Sequence, residues 1–349
     1  MFVHEIKRKA MTEQTLSTVS GVRMQQEVHL GRIILDRPKR LNAVDISMAS
    51  GIKTALQTWQ NDPSIHTILL ESSSTRAFCA GGDLRAIHDC LKAQGALAAY
   101  ELMKRVYDVM LLLADYKKPI VSFLDGVAMG GGIGLGGHVR YRVVTETSVL
   151  AMPETAIGLA PDAGGSWLLA RAPGFSGLRR AVTGGRMNGA EAVAMGFADV
   201  LVPSASLADL RETLSIESAE HVFARLHSQP ESLDVQNLDS CYNAPDILQV
   251  IEKLKAEGSE DAQEDLEALS RACPFSVQVA WSGWHRARAA SSLHEAFTLE
   301  ENMVRHMVAR PDFAEGIRAR LIDKDNSPAW VPPALAEVNE QEVQNCFDK

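Results

Sequence analysis

The chain has 349 residues, 46 % of them apolar and 23 % charged, with 35 Lys+Arg against 44 Asp+Glu for a net charge of −9. That composition excludes general disorder, and the length allows about two domains at ~150 residues each. There is no basic excess of the kind nucleic-acid binding needs, and no apolar run of about 18 residues that would predict a membrane-spanning helix, so neither partner is expected.

The N-terminal segment carries charges where a secretory leader would be apolar. Glu5 and Glu13 interrupt a transit-peptide reading, and Met11 is an alternative start. Residues 1–22 are polar and aperiodic, which predicts a mobile tail. Val28 to Leu35 alternates loosely and reads as strands broken at Gly31. Met48, Ile52, Leu56 and Trp59 share one face of a predicted helix. His66 to Glu71 reads as a buried strand around Ile68, Leu69 and Leu70. Leu91 to Ala114 is one long helical pattern, Pro119 to Leu124 a strand, and Ser148 to Ala151 another. Beyond Val202 the pattern turns helical: Ser206 to Leu226, Ala244 to Glu257, Asp261 to Cys273, Ser276 to Ala289 and Leu293 to Val308, with prolines between them, Pro230 among them. The predicted organisation is a tail (1–22), an α/β core (23–202) with crossover connections, and a helical C-terminal region (203–349).

Three segments carry candidate chemistry. The first is Ala77 to Leu84 (AFCAGGDL), a strand followed by a glycine pair and a helical pattern. It suits either an anion-binding turn or a plain turn with Asp83 as helix cap. The second is Asp125 to Gly137 (DGVAMGGGIGLGG). A GxGxxG pattern can be cut from it, but Glu154, the acid at dinucleotide-site spacing, sits in a loop-like context after Pro153. The adjacent glycines better suit close backbone approach and peptide N–H groups facing an oxyanion. The third is Ala151 to Gly165 (AMPETAIGLAPDAGG). Glu154 and Asp162, eight residues apart among small and apolar neighbours, can serve as acid and base if burial separates their pKa values, or as two helix caps.

Weaker candidates are read as structural. His138 is predicted to be a satisfied core histidine. Cys79 has no histidine partner for thiol chemistry, no GxSxG is present, and Asp323 to Asp325 lack the rest of a calcium loop. The five cysteines, Cys79, Cys90, Cys241, Cys273 and Cys346, show no metal-ligand spacing. Reduced thiols and a cytoplasmic location are expected, with no metal or redox cofactor.

Taken in order, Arg37 to Ala43 (RPKRLNA) and the three segments resemble the enoyl-CoA hydratase/isomerase (crotonase) superfamily, and within it the 3-hydroxyisobutyryl-CoA hydrolase branch, the thioesterases of valine degradation. Three features carry the branch: Asp162 where hydratases have glycine, Gly134 where they have their first catalytic glutamate, and the C-terminal segments Pro311 to Ala319 and Leu321 to Pro328. The resemblance implies a spiral of ββα units followed by helices. It implies that the Gly82 and Gly131 N–H groups hold a thioester oxygen. By the same resemblance Ala43, Ala80, Asp83 and Leu84 line coenzyme A, with Arg37 and Lys39 near its phosphates, and Glu154 and Asp162 are catalytic. Coenzyme A then enters only as part of an acyl-CoA substrate, Glu154 either attacks the carbonyl or activates water, and a homo-oligomer is possible. One departure is Val106, which falls where such hydrolases carry a substrate-binding glutamate. A hydratase of this fold and a non-catalytic acyl-CoA binder are competing readings, weakened by Gly134 and by the intact acids respectively, while an isomerase, which needs only one base, survives as an alternative.

Overall fold

The computed structural model describes residues 14–19, 21–226 and 233–348. The chain opens with β1 (Gln14–Val19), β2 (Val22–Glu27) and β3 (Leu30–Leu35), an antiparallel meander in which Val22 pairs with Leu35 and Glu27 with Leu30. Residues 14–19 are thus a strand and not tail; residues 1–13 lie outside the described chain. The break expected at Gly31 is at Val28, whose φ is +50°. Gly31 sits inside β3 because a Cβ there would come within 2.8 Å of the Trp59 ring.

Helix α1 (Ile46–Trp59) buries Met48, Ile52, Leu56 and Trp59, the predicted face, and Asp45 caps it by accepting from Met48 N–H. Strands β4 (Thr67–Ser72) and β5 (Ala77–Cys79) follow. The long helical pattern divides at Gly95 (φ +88°) into α2 (Leu84–Gln94) and α3 (Ala96–Ala114); glycine adopts that angle without steric cost. Next come β6 (Ile120–Phe123), β7 (Val127–Met129), α4 (Gly131–Gly136), β8 (Tyr141–Val144) and β9 (Val149–Ala151). Helices α5 (Gly165–Arg171) and α6 (Ser176–Thr183) and strands β10 (Met187–Asn188) and β11 (Val200–Leu201) complete the α/β part.

Two sheets result. Seven strands run in the order β1-β2-β3-β4-β6-β8-β11, parallel from β3 onward. The run Ile68, Leu69, Leu70 is continuously apolar because both faces are covered: Ile68 and Leu70 join the main core, while Leu69 joins a smaller cluster under α7 (Leu207–Ile216) and α8 (Ala219–Phe223). The second sheet, β10-β9-β7-β5, is parallel across β5, β7 and β9. The carboxyl ends of these three strands lead directly into the three segments singled out above, where ligands of parallel sheets commonly bind.

The C-terminal region holds α9 (Ile247–Glu257), α10 (Glu260–Arg271), α11 (Pro274–Ala289), α12 (Leu293–Val308) and α13 (Pro311–Ile317). Each proline at a first helical position lacks only a donor that has no intrahelical partner. These helices do not form a separate body. One buried apolar cluster runs from Val22 through Met110 and Leu169 to Trp284 and Phe347, so the predicted core and C-terminal region share a core. Pro230 lies outside the described residues.

Candidate active site

A cavity of about 470 Å³ opens where β5, β7 and β9 end. After β5, a parallel bridge joins Val44 to Gly82: Val44 N–H donates to Gly81 O and Asp83 N–H to Val44 O. The bridge does not use the Gly82 N–H. Gly131 is the first residue of α4, so its N–H has no carbonyl one turn earlier. A Cβ built on Gly131 would lie 3.4 Å from Gly82 N, so the two peptide groups are neighbours on the cavity wall. Between β7 and α4, Gly130 has φ +48°, and a Cβ there would meet Glu154 Oε1 at 2.5 Å. Only glycine satisfies both constraints.

Glu154 starts a 3₁₀ turn (Glu154–Ile157) immediately after β9 and is 6 % exposed. Its Oε2 has no hydrogen-bond partner among the described residues. Asp162 is 5 % exposed, and the buried Tyr107 hydroxyl on α3 donates to its Oδ2. Burial, and then the charge of Asp162, hold the Glu154 carboxyl well above the usual carboxylate range. Burial pushes Asp162 up to about 6, against the Tyr107 hydrogen bond that lowers it. The pair therefore holds a proton to higher pH than exposed carboxylates do. Neither acid is a helix cap: the residue at the cap of α5 is Gly164.

Ala80, Asp83 and Leu84 line the cavity. Asp83 also caps α2 and receives Arg37 Nη2 at 3.0 Å and Arg40 Nη1 at 3.2 Å. Arg37 is turned inward, paired with Asp45 at 2.8 Å and Asp83, and donates to Ala43 O at 2.6 Å. Arg37, Lys39 and Ala43 are not on the cavity wall, whereas Arg186, Arg271 and Arg320 are. Two neighbouring carboxylates capture Arg37, and sequence could not show that. Nor could it show Arg271 and Arg320, which arrive from helices more than 200 residues beyond the loop.

Tyr107 was also missed, although it directly follows Val106, the position already noted. Val106 is 9 % exposed and faces the cavity with Leu102, Met103 and Met110, so this wall is apolar. Gly134 is sealed: a Cβ there would meet Met110 Sδ at 2.6 Å and Ala163 Cβ at 2.8 Å. His138 is half-buried, bonds to Ala163 O at 3.1 Å, and is pushed down to about 4 by loss of solvation. Cys79 is buried and pushed up to about 12 by burial. Asp323 and Asp325 pair with Arg318 at the surface. Among the described residues, no group of three or more His, Cys, Asp or Glu side chains is placed to hold a metal, and no helix is long and apolar enough to cross a membrane.

Two peptide N–H groups beside a buried carboxylate with one unpartnered oxygen can stabilise an oxyanion and move a proton next to it. The enoyl-CoA hydratase/isomerase family matches residues 30–347, and the chain belongs to that family. It is 36 % identical over 345 residues to the mitochondrial 3-hydroxyisobutyryl-CoA hydrolase of Gallus gallus, covering 95 % of this chain and 89 % of that protein. It is 33 % identical over 354 residues to 3-hydroxyisobutyryl-CoA hydrolase 1 of Arabidopsis thaliana, covering 96 % and 93 %. Among solved structures, a carnitinyl-CoA dehydratase from Mycobacterium thermoresistibile superposes with a TM-score of 0.89 at 34 % identity, over 94 % of this chain and 96 % of that one. An enoyl-CoA hydratase from Rhodobacter sphaeroides gives 0.88 at 36 %, over 94 % and 97 %.

Proposed function

We propose that this protein hydrolyses acyl-CoA thioesters, with 3-hydroxyisobutyryl-CoA or a close 3-hydroxyacyl-CoA as substrate. The thioester oxygen sits between the Gly82 and Gly131 N–H groups, which stabilise the charge it gains when the carbonyl is attacked; one such donor is typically worth ~3 kcal/mol. Glu154 either takes a proton from the attacking water or attacks the carbonyl itself to give a mixed anhydride that water then opens. Both routes break the C–S bond and release coenzyme A as the thiol. Asp162, oriented by Tyr107, accepts the substrate's 3-hydroxyl proton in a hydrogen bond. A thioester lacking that hydroxyl leaves the buried acid unpaired and is disfavoured.

The observation that carries this reading is Gly134. Met110 and Ala163 fill the space a second catalytic glutamate would need, which disfavours the addition of water across a double bond. The relatives named as hydrolases support the same reading. Hydration or isomerisation is the second reading, favoured by the names of the two similar solved structures. At the cavity mouth, Arg186, Arg271 and Arg320 are proposed to meet the phosphates in place of Arg37 and Lys39. A place in valine degradation, a cytoplasmic location and a homo-oligomeric state remain proposals that follow from the sequence resemblance and the thiol content; the animal relatives are named as mitochondrial.

The deciding experiment is thiol release from 3-hydroxyisobutyryl-CoA with crotonyl-CoA hydration in parallel. Thiol release without hydration is the expected result. Hydration without thiol release would overturn the hydrolase reading.

A further inference from the structure

Glu300 lies on α12, outside the cavity, and is 2 % exposed. Its carboxylate accepts the Gly164 N–H at 2.6 Å through Oε2, and the Ser166 N–H at 3.0 Å through Oε1; the Ser166 hydroxyl donates to that same Oε1. Helix α5 has no cap from its own Gly164, so a side chain 134 residues further along supplies the acceptor. These bonds reach the two residues beside Gly165, whose N–H donates to Asp162 O at 2.7 Å. The intervening Ala163 has φ +55°, rare for a residue with a side chain, and its carbonyl is held by His138. A turn in that conformation persists only when its surroundings impose it.

We propose that Glu300 is a positioning residue for the reaction: by gripping Gly164 and Ser166 it sets the Asp162 turn, so that the C-terminal helical region orients the group that reads the substrate hydroxyl. The proposal rests on the hydrolase reading above. A buried carboxylate in contact only with structural groups is costly to keep. A single-acceptor cap of the usual Ser, Asn or Asp kind would satisfy one of the free N–H groups from within the helix's own first turn. Glu300 instead grips both residues that flank Gly165, the donor that closes the turn back onto Asp162. A displacement of roughly 1 Å at a reacting group can cost about 100-fold in rate, which is the lever this carboxylate works on.

The test uses the full-length chain. Glu300→Gln keeps the shape but offers one oxygen and a donor to three donors. In Glu300→Gln, kcat for 3-hydroxyisobutyryl-CoA should fall about 10- to 100-fold, with KM within about three-fold. The loss should be smaller for isobutyryl-CoA, which lacks the hydroxyl. In an Asp162→Asn background, Glu300→Gln should cost little more, because both changes remove one function. Ser166→Ala, which deletes one donor and spares the fold, should show the same pattern at smaller size and carries the test should Glu300→Gln not fold. Equal losses on both thioesters, or losses that multiply with Asp162→Asn, would reduce Glu300 to a helix cap and overturn the proposal. Wild-type protein that releases no thiol from either thioester would instead overturn the hydrolase reading, which separates the two failures.

Discussion

Glu154 combines burial, a charged neighbour and an oxygen without a partner, three features that each raise the cost of ionising it. Because its folded-state pKa lies above the ordinary value, the native state keeps a proton that the unfolded chain releases. Stability tied to this group is therefore greatest at low pH and is lost as pH rises through the folded pKa. Glu154→Gln removes that loss. Its melting temperature should exceed the wild type's at pH 8, and the gap should close towards pH 4. The same variant should retain coenzyme A binding within a few-fold while thiol release falls by about 1000-fold or more; unchanged turnover would remove Glu154 from the mechanism. Tyr107 lowers the Asp162 pKa through its hydrogen bond. Tyr107→Phe should shift the acidic limb of the kcat/KM profile to higher pH and reduce turnover with 3-hydroxyacyl thioesters about ten-fold.

At the level of elements, the site depends on how closely α4 approaches β5. Gly132 lies against the Cys79 backbone carbonyl with no room for a Cβ. Gly132→Ala must push the helix N-terminus away from the strand, and with it the Gly131 N–H from the Gly82 N–H. We expect a destabilisation of about 1–3 kcal/mol in denaturant titration and a fall in kcat that exceeds any change in KM. A variant with native stability and native kcat would show that the two peptide groups need not stay in register. Val106→Glu tests the opposite wall: a carboxylate placed among Leu102, Met103 and Met110 should weaken thioesters with purely aliphatic acyl groups more than hydroxylated ones, seen as a change in their kcat/KM ratio.

Across the whole molecule, the C-terminal helices both support and finish the site. Thr155 O, next to Glu154, accepts from the Cys273 N–H at 2.9 Å, and Gly158 and Gly316 let α13 pack directly on the Glu154 turn. The predicted boundary at residue 202 is thus a change of secondary structure and not a division of the core. Residues 1–202 expressed alone should lack a cooperative thermal transition, because Trp284, Phe297, Phe313 and Phe347 would be absent from a shared core. Arg271→Ala and Arg320→Ala should raise KM for the coenzyme A thioester several-fold and leave a pantetheine thioester, which lacks the nucleotide phosphates, unchanged.

Much of this molecule was legible in the chain itself. Periodicity located α1, β4, β6 and α9 to α12, because burial on one face or both leaves a repeat in the sequence, whereas the single helix expected over Ser206 to Leu226 breaks into α7 and α8 at the extended Glu217 and Ser218. Glycine clusters and a pair of acids marked the segments that carry the site, because only small residues allow backbone to approach backbone and ligand. The meander strand at 14–19 was missed because its polar sequence resembles a tail, and Gly95 was passed over as one glycine in a helical pattern. What only the tertiary structure decided is which charges are already used. Arg37 is captured by Asp45 and Asp83, Tyr107 by Asp162, and the α5 N-terminus by Glu300. Such pairings depend on distances between residues far apart in the chain, and local pattern carries no record of them.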